Sequence, residues 1–219
     1  MGDPLFKLTS LNLNGIRSAS TKGLEPWLAA HQPDCICVQE VKAQAPDVAG
    51  RFETLAGLQG HFHFAEKKGY SGVAIFTKVL PKHVEYGCGI EAYDNEGRVI
   101  RTDFEDFSLM SVYMPSGSSG DERQGFKFQW LDDFQGYIND LKVQIPNLIV
   151  SGDYNICHQP IDIHNPKSNA NRNEFYFYER DSSGQGHTTN QNPWSKESAY
   201  LQQLYQCYLW ACNKAHGSS

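Results

Sequence analysis

The sequence predicts an α/β fold, and three observations carry that expectation. Short runs of β-branched and aliphatic residues, such as 35–38 (Cys-Ile-Cys-Val) and 147–150 (Asn-Leu-Ile-Val), have the length and composition of buried strands. A stretch with helical spacing of apolar residues separates the runs at 5–11 and 35–38. That β-α-β order implies a parallel pair joined by a right-handed crossover, with both strand ends at one edge of the sheet. Polar side chains follow the runs directly, as Asn12, Glu40 and Asp153 do, and in open α/β sheets the crevice beyond the strand ends is where ligands bind.

Taken in order, 5–11 (Leu-Phe-Lys-Leu-Thr-Ser-Leu) reads as a strand running into Asn12-Leu13-Asn14-Gly15. Ser20 or Thr21 caps a short helix that puts Leu24, Trp27 and Leu28 on one face, with Pro26 tolerated in its first turn. Residues 35–38 form the second strand, and 43–60 carry only a weak helical signal. The runs 62–65 and 72–77 read as a hairpin around Glu66-Lys67-Lys68-Gly69-Tyr70. Two further strands, 98–104 and 107–114, are joined by a tight turn at Glu105-Asp106, and the second ends at Tyr113. Ser119-Gly120-Asp121-Glu122 is a capping box. It opens a helix whose stripe of Phe126, Trp130, Phe134, Ile138 and Leu141 reads as core. The helix leads back to the strand that ends in Ser151-Gly152-Asp153-Tyr154-Asn155.

Composition bounds the function. With 219 residues, of which 40% are hydrophobic and 20% charged, the chain is long enough for one large domain or two small ones, and one is expected. No apolar run approaches the roughly 18 residues a membrane helix needs. The start, Met1-Gly2-Asp3-Pro4, does not resemble a signal peptide, so no membrane partner and a cytosolic location are expected. The six cysteines include no Cys-x-x-Cys and read as reduced, mostly buried thiols. Cys207, Cys212 and His216 resemble part of a zinc site that would need a fourth ligand such as His187. A formal net charge of −6 argues against broad coating of nucleic acid, though not against a local basic groove.

The candidate chemistry lies at the strand ends. Asp153 and Asn155, spaced by two on extended backbone, point to the same side, and Asn12 and Asn14 repeat that spacing. Such residues also make turns through their own side chains, which is the competing reading. Carboxylates and amides without a Cys or His alternative suit Mg²⁺, which keeps several waters and draws other ligands from substrate phosphate. The physical reading is a Mg²⁺-dependent phosphoesterase. The lysines and ring at 67–70 suit a nucleic-acid backbone, or equally a solvated turn.

The motifs Ser10-Leu11-Asn12-Leu13-Asn14-Gly15-Ile16-Arg17, Val38-Gln39-Glu40-Val41-Lys42, Gly69-Tyr70-Ser71-Gly72-Val73-Ala74, Glu96-Gly97-Arg98, Tyr113-Met114-Pro115 and Gly152-Asp153-Tyr154-Asn155-Ile156 occur in this order. Together they resemble the exonuclease III type of apurinic/apyrimidinic endonuclease, within the endonuclease/exonuclease/phosphatase superfamily. The resemblance covers about residues 5–172. It implies a four-layer α/β sandwich of two mixed sheets flanked by helices. It implies that Glu40 binds Mg²⁺, with Mn²⁺ as the alternative ion and Asn12 in the metal and water network. Asp153 would orient or deprotonate water, Asn155 would support it, and Tyr113 would lie against the scissile phosphate. Arg17, Lys42, Lys68, Tyr70 and Arg98 would approach double-stranded DNA carrying an abasic site or a 3′ end. The implied reaction is hydrolysis 5′ of an abasic site together with 3′-5′ exonuclease and 3′-end cleaning. The location would be the cytoplasm, at the nucleoid or in the nucleus according to the host, and the chain a monomer.

The resemblance stops near residue 172. The family's terminal Ser-Asp-His-x-Pro motif has no counterpart in 173–219, which read as a divergent polar tail with a short helix near 198–211. Loss of one member of a cooperating catalytic set costs orders of magnitude in rate, so reduced or absent activity is expected, with incomplete sheet edges at the C-terminal end. Two other readings stand beside this one: a phosphatase acting on a small phosphate ester or a lipid headgroup, and a catalytically silent DNA-binding or non-functional product.

Overall fold

The computed structural model describes residues 6–116 and 121–155. Among these, 6–113 with 142–153 form one compact unit, while 114–116, 121–141 and 154–155 belong to a second. Both sheets lie in the first unit. One contains β1 (Leu8–Asn12), β2 (Cys35–Gln39), β3 (Thr54–Leu55), β4 (Leu58–His63) and β5 (Val73–Thr77), in the order β1-β2-β5-β4-β3. The other contains β6 (His83–Tyr86), β7 (Val99–Asp103), β8 (Ser108–Tyr113) and β9 (Leu148–Asp153), in that order. Each sheet is mixed. The pairs β1·β2 and β8·β9 are parallel, and the remaining pairs are antiparallel.

The burial of the strands explains their composition. All five residues of β2 are buried, because it lies between β1 and β5 with both faces covered, and such strands read as continuous apolar runs. On one face Ile36, Val38, Ala74 and Phe76 pack with Ile16 of α1 (Ile16–Thr21), Leu24 and Leu28 of α2 (Leu24–His31) and Val48 of α3 (Ala45–Val48). On the other face Cys35, Cys37, Val73 and Ile75 meet Ile100 and Leu109 of the second sheet. Two mixed sheets with flanking helices are therefore observed, as the α/β expectation required. Residues Cys35 and Cys37 are buried free thiols and Cys88 is a half-buried one.

Several local expectations change. Helix α2 starts after Gly23, whose left-handed backbone (φ +96°) makes the entry turn without a side-chain cap. Ser20 and Thr21 instead close α1, and the Ser20 hydroxyl donates to Glu25 Oε1 at 2.9 Å. Trp27 is 38% exposed and stacks on His31 at 4.0 Å, so only Leu24 and Leu28 of the expected face are core. The weakly helical stretch 43–60 contains α3, β3 and the start of β4. Strand β6 and helix α4 (Glu91–Asp94) were not anticipated. Edge strand β6, His-Val-Glu-Tyr, is mostly exposed and therefore lacks the apolar run that marks buried strands.

Helix α5 spans Asp121–Gln144. Within 122–141 the buried apolar residues are Trp130, Leu131, Phe134, Ile138 and Leu141, with Trp130 stacked on Phe134 at 4.5 Å. Phe126 is only half-buried, while Gln124 and Lys127 are buried polar members of the same helix. The capping box reaches beyond the described residues, as do the boundary at 172, the tail, His187, His216, Cys157, Cys207 and Cys212. Among the described residues no helix is long and apolar enough to cross a membrane.

Candidate active site

The two parallel pairs, one from each sheet, deliver the site. Register places Asn12 beside Gln39 at the ends of β1 and β2, and Tyr113 beside Asp153 at the ends of β8 and β9. Because the sheets pack face to face, these four ends converge. The Asn12 amide Nδ2 bridges two carboxylates, donating to Glu40 Oε1 at 3.1 Å and to Asp153 Oδ2 at 2.7 Å. The Tyr113 hydroxyl donates to Glu40 Oε1 at 2.8 Å, and Lys42 Nζ lies 2.5 Å from Glu40 Oε2. Asn12 makes both kinds of contact. Its Oδ1 accepts the Asn14 N–H at 3.0 Å, closing a turn, while its Nδ2 joins the carboxylates.

The loops beyond the strand ends are held against one another. Gly15 N–H donates to Glu40 O (2.8 Å), Ile16 N–H to Val41 O (3.0 Å), Val41 N–H to Gly72 O (3.0 Å) and Lys42 N–H to Ser71 O (2.9 Å). Four non-glycine residues in these loops, Asn14, Glu40, Lys42 and Ser71, adopt positive φ. Each such residue costs on the order of 1–2 kcal/mol, persists only where surrounding bonds over-determine it, and such clustering points to function. Left-handed backbone also changes an expectation. Asn14 and Asn155 (φ +46° and +48°) are not on extended chain, so the same-side argument fails for both pairs. The Asn14 side chain instead accepts from Lys42 Nζ at 2.6 Å.

Electrostatics follow from these contacts. Burial pushes the Glu40 carboxyl up, but hydrogen bonds from Lys42, Asn12 and Tyr113 outweigh it and hold the group below its usual value. Burial, reinforced by the Glu40 carboxylate, pushes the Tyr113 phenol far up, so it remains a donor.

A family model described as Endonuclease/Exonuclease/phosphatase family matches residues 9–200. The chain belongs to this family. An exodeoxyribonuclease of Bacillus subtilis (strain 168) is 40% identical over 177 residues, covering 80% of this chain and 69% of its own length. The DNA repair nuclease APEX1 of Danio rerio is 38% identical over 183 residues, covering 80% of this chain and 57% of its own. The structure of an AP endonuclease from Archaeoglobus fulgidus superposes with a TM-score of 0.67 at 30% identity, covering 78% of this chain and 66% of that one. The chain thus spans between somewhat over half and about two thirds of the length of these three relatives.

Within this Endonuclease/Exonuclease/phosphatase family member, Asn12, Glu40, Tyr113 and Asp153 come together, and Lys42 joins them as the partner of Glu40. Asn155 belongs to the second unit. There its Nδ2 donates to Met114 O at 2.8 Å, and its carbonyl accepts from Lys127 Nζ at 3.0 Å. Arg17 is exposed, pairs with Asp47 at 3.0 Å and reaches the Lys42 carbonyl at 3.4 Å. Lys68 is exposed in the loop between β4 and β5, and Tyr70 in that loop is half-buried. Arg98 departs from the surface role its motif implied: it is 2% exposed and its guanidinium is occupied by protein groups.

Sequence reasoning missed Lys127, a fully buried lysine. Its signal was present, since it stands three residues before Trp130 and seven before Phe134, on the apolar stripe itself. It also missed Gln39, buried at the base of the site, where it bonds Ser10 and Ser111 across the two sheets. As for a metal, the described residues gather no group of three or more His, Cys, Asp or Glu. The Glu40 and Asp153 carboxylates are the oxygen donors that fit a hard cation retaining waters, while the Asn12 amide faces them with its nitrogen.

Proposed function

We propose that this chain is a Mg²⁺-dependent DNA-repair phosphodiesterase, hydrolysing DNA 5′ of abasic sites and processing 3′ ends. The observation that carries the reading is the Asn12 amide joining Glu40 and Asp153 where the parallel strand pairs end. The names of the relatives support the substrate class. Glu40, with Asn12 beside it, would hold Mg²⁺ or Mn²⁺, and the ion supplies polarisation of the phosphate oxygens and stabilisation of the leaving alkoxide.

Asp153 receives the proton of the attacking water on its carboxylate, and Asn12 orients that carboxylate. Tyr113 presents its hydroxyl to the scissile phosphate, held in the donor form beside Glu40. The Lys42 cation neutralises phosphate charge once it leaves Glu40. The family motif assigns Asn155 to the support of the attacking water. Arg17, Lys42, Lys68 and Tyr70 approach the DNA backbone. An abasic nucleotide is favoured because extruding it costs less unstacking and unpairing than extruding an intact one. Slow turnover is expected, because the sequence 173–219 carries no Ser-Asp-His-x-Pro motif of the family's kind.

The test is incision of a labelled duplex bearing one abasic-site analogue, with and without Mg²⁺, by the parent chain and by Asp153→Asn and Glu40→Gln. Metal-dependent cutting that disappears in both variants is the expected result. Competition by small phosphate esters as strong as that by abasic duplex would instead show a phosphatase. Binding of abasic duplex without any metal-dependent product would show a silent binder.

A further inference from the structure

We propose that Arg98 is a positioning residue that ties Tyr70, in the loop between β4 and β5, to Tyr113, at the end of β8. The residue offered to nucleic acid and the phenol on Glu40 are then held as one unit. The proposal rests on the function proposed above. Its observation is a buried guanidinium whose three nitrogens all donate to protein. Arg98 Nε donates to Glu96 Oε2 at 2.5 Å, Nη1 to the Tyr113 carbonyl at 3.0 Å, and Nη2 to the Tyr70 hydroxyl at 2.9 Å. The Arg98 carbonyl accepts the Tyr113 N–H at 2.9 Å, so both polar backbone atoms of Tyr113 are gripped by one residue. The guanidinium carbon also lies 4.9 Å from the Tyr113 ring centre and 5.8 Å from that of Tyr70.

The neighbouring motif residues anchor this joint. Gly97 (φ +59°) lies so close to the chain at 63–65 that a Cβ would stand 2.6 Å from Ala65 N and Phe64 C. Glu66 N–H donates to Asn95 O at 2.9 Å. The loop bearing Tyr70 is therefore seated on the residues that lead into Arg98. From Tyr113 the chain of contacts continues through its hydroxyl to Glu40. A guanidinium directs donors along fixed, divergent lines, which an ammonium on a flexible stem cannot reproduce. At 2% exposure, Arg98 acts on substrate through the two tyrosines and does not touch phosphate itself.

The experiment uses the full chain with ¹³C-labelled tyrosine rings, the NMR signals of Tyr70 and Tyr113 being assigned with Tyr70→Phe and Tyr113→Phe. Arg98→Lys is expected to shift both signals. Tyr70→Phe, which removes only the hydroxyl that Arg98 grips, is expected to shift the Tyr113 signal. A Tyr113 signal unmoved in these variants overturns the proposal. If Arg98→Lys does not fold, Tyr70→Phe decides alone, since it leaves Arg98 in place. In the incision assay Arg98→Lys should lower kcat by roughly tenfold to a hundredfold, the scale of a misplaced reacting group. Adding Tyr70→Phe to it should cost little more. Unchanged kcat with raised KM would mean a direct phosphate contact and also overturns the proposal. A parent chain that does not cut refutes the proposed function, and the tyrosine signals still decide whether Arg98 couples the two rings.

Discussion

At the scale of single residues, Glu40 carries the sharpest expectations. Its two oxygens are occupied by Tyr113 and Asn12 on one side and by Lys42 on the other. Replacing it, or Asp153, with the isosteric amide keeps the shape and removes the charge. Either variant should lose at least about a hundredfold in kcat, the usual scale of a general acid-base group or more, as read from single-turnover incision. The same contacts have a consequence for stability. A carboxyl whose folded pKa lies below its unfolded value of 4.5 contributes stability that is fully present above that value. The contribution is lost as pH falls through the lower, folded pKa. Acid titration of unfolding should therefore be less steep below about pH 4.5 in Glu40→Gln than in the parent. An equal slope in the two proteins would show that Glu40 gains nothing from its partners.

At the scale of elements, glycines separate required backbone from replaceable backbone. On β9, a Cβ at Gly152 would stand 1.9 Å from Val112 O on the paired strand β8. Backbone cannot yield as a side-chain tip can, so Gly152→Ala should cost about 3 kcal/mol or more and disturb the strand end that carries Asp153. Gly125 and Gly136 on α5 have nothing within 4 Å and no positive φ. Alanine there should stabilise by about 0.5–1 kcal/mol through helix propensity and a less flexible unfolded chain. Urea unfolding of the three variants checks both signs. The elements also show where patterns were legible. Strands β2 and β5 announced themselves because all five residues of each are buried and burial on both faces favours apolar side chains, whereas β9 showed itself only through its aliphatic start at Leu148–Val150. Strand β6 did not, because an edge strand with exposed His83, Glu85 and Tyr86 carries no such demand.

At the scale of the whole molecule, charge and burial make further predictions. The net charge is −6, and the basic groups near the proposed DNA face are Arg17, Lys42, Lys67 and Lys68. Binding of abasic duplex without divalent cation should therefore depend on salt with a log-log slope no steeper than about −4, the limit set by that many phosphate contacts. Fluorescence anisotropy across a salt series measures it, and a steeper slope would place further cations at the interface. Thiol reactivity tests the packing. Burial pushes Cys35 up to about 12 and Cys37 further still. Alkylation of the native protein followed by mass spectrometry should modify half-buried Cys88 well before either strand cysteine.

The α/β class, the parallel pairing of β1 with β2, and the polar residues Asn12, Glu40, Tyr113 and Asp153 at strand ends are all readable along the chain. These are consequences of local composition and of chain order, which a linear reading contains. Which of the marked residues meet depends on how the two sheets pack. Two parallel pairs in separate sheets bring Asn12 within 2.7 Å of Asp153, although 141 positions separate them. Left-handed backbone turns Asn14 to Lys42, and Asn155 bonds the Met114 carbonyl. Arg98 was legible as a motif residue, yet its burial was not. An arginine is read from sequence as a surface cation, and only the convergence of Glu96, Tyr70 and the Tyr113 carbonyl offers it enough acceptors to leave water.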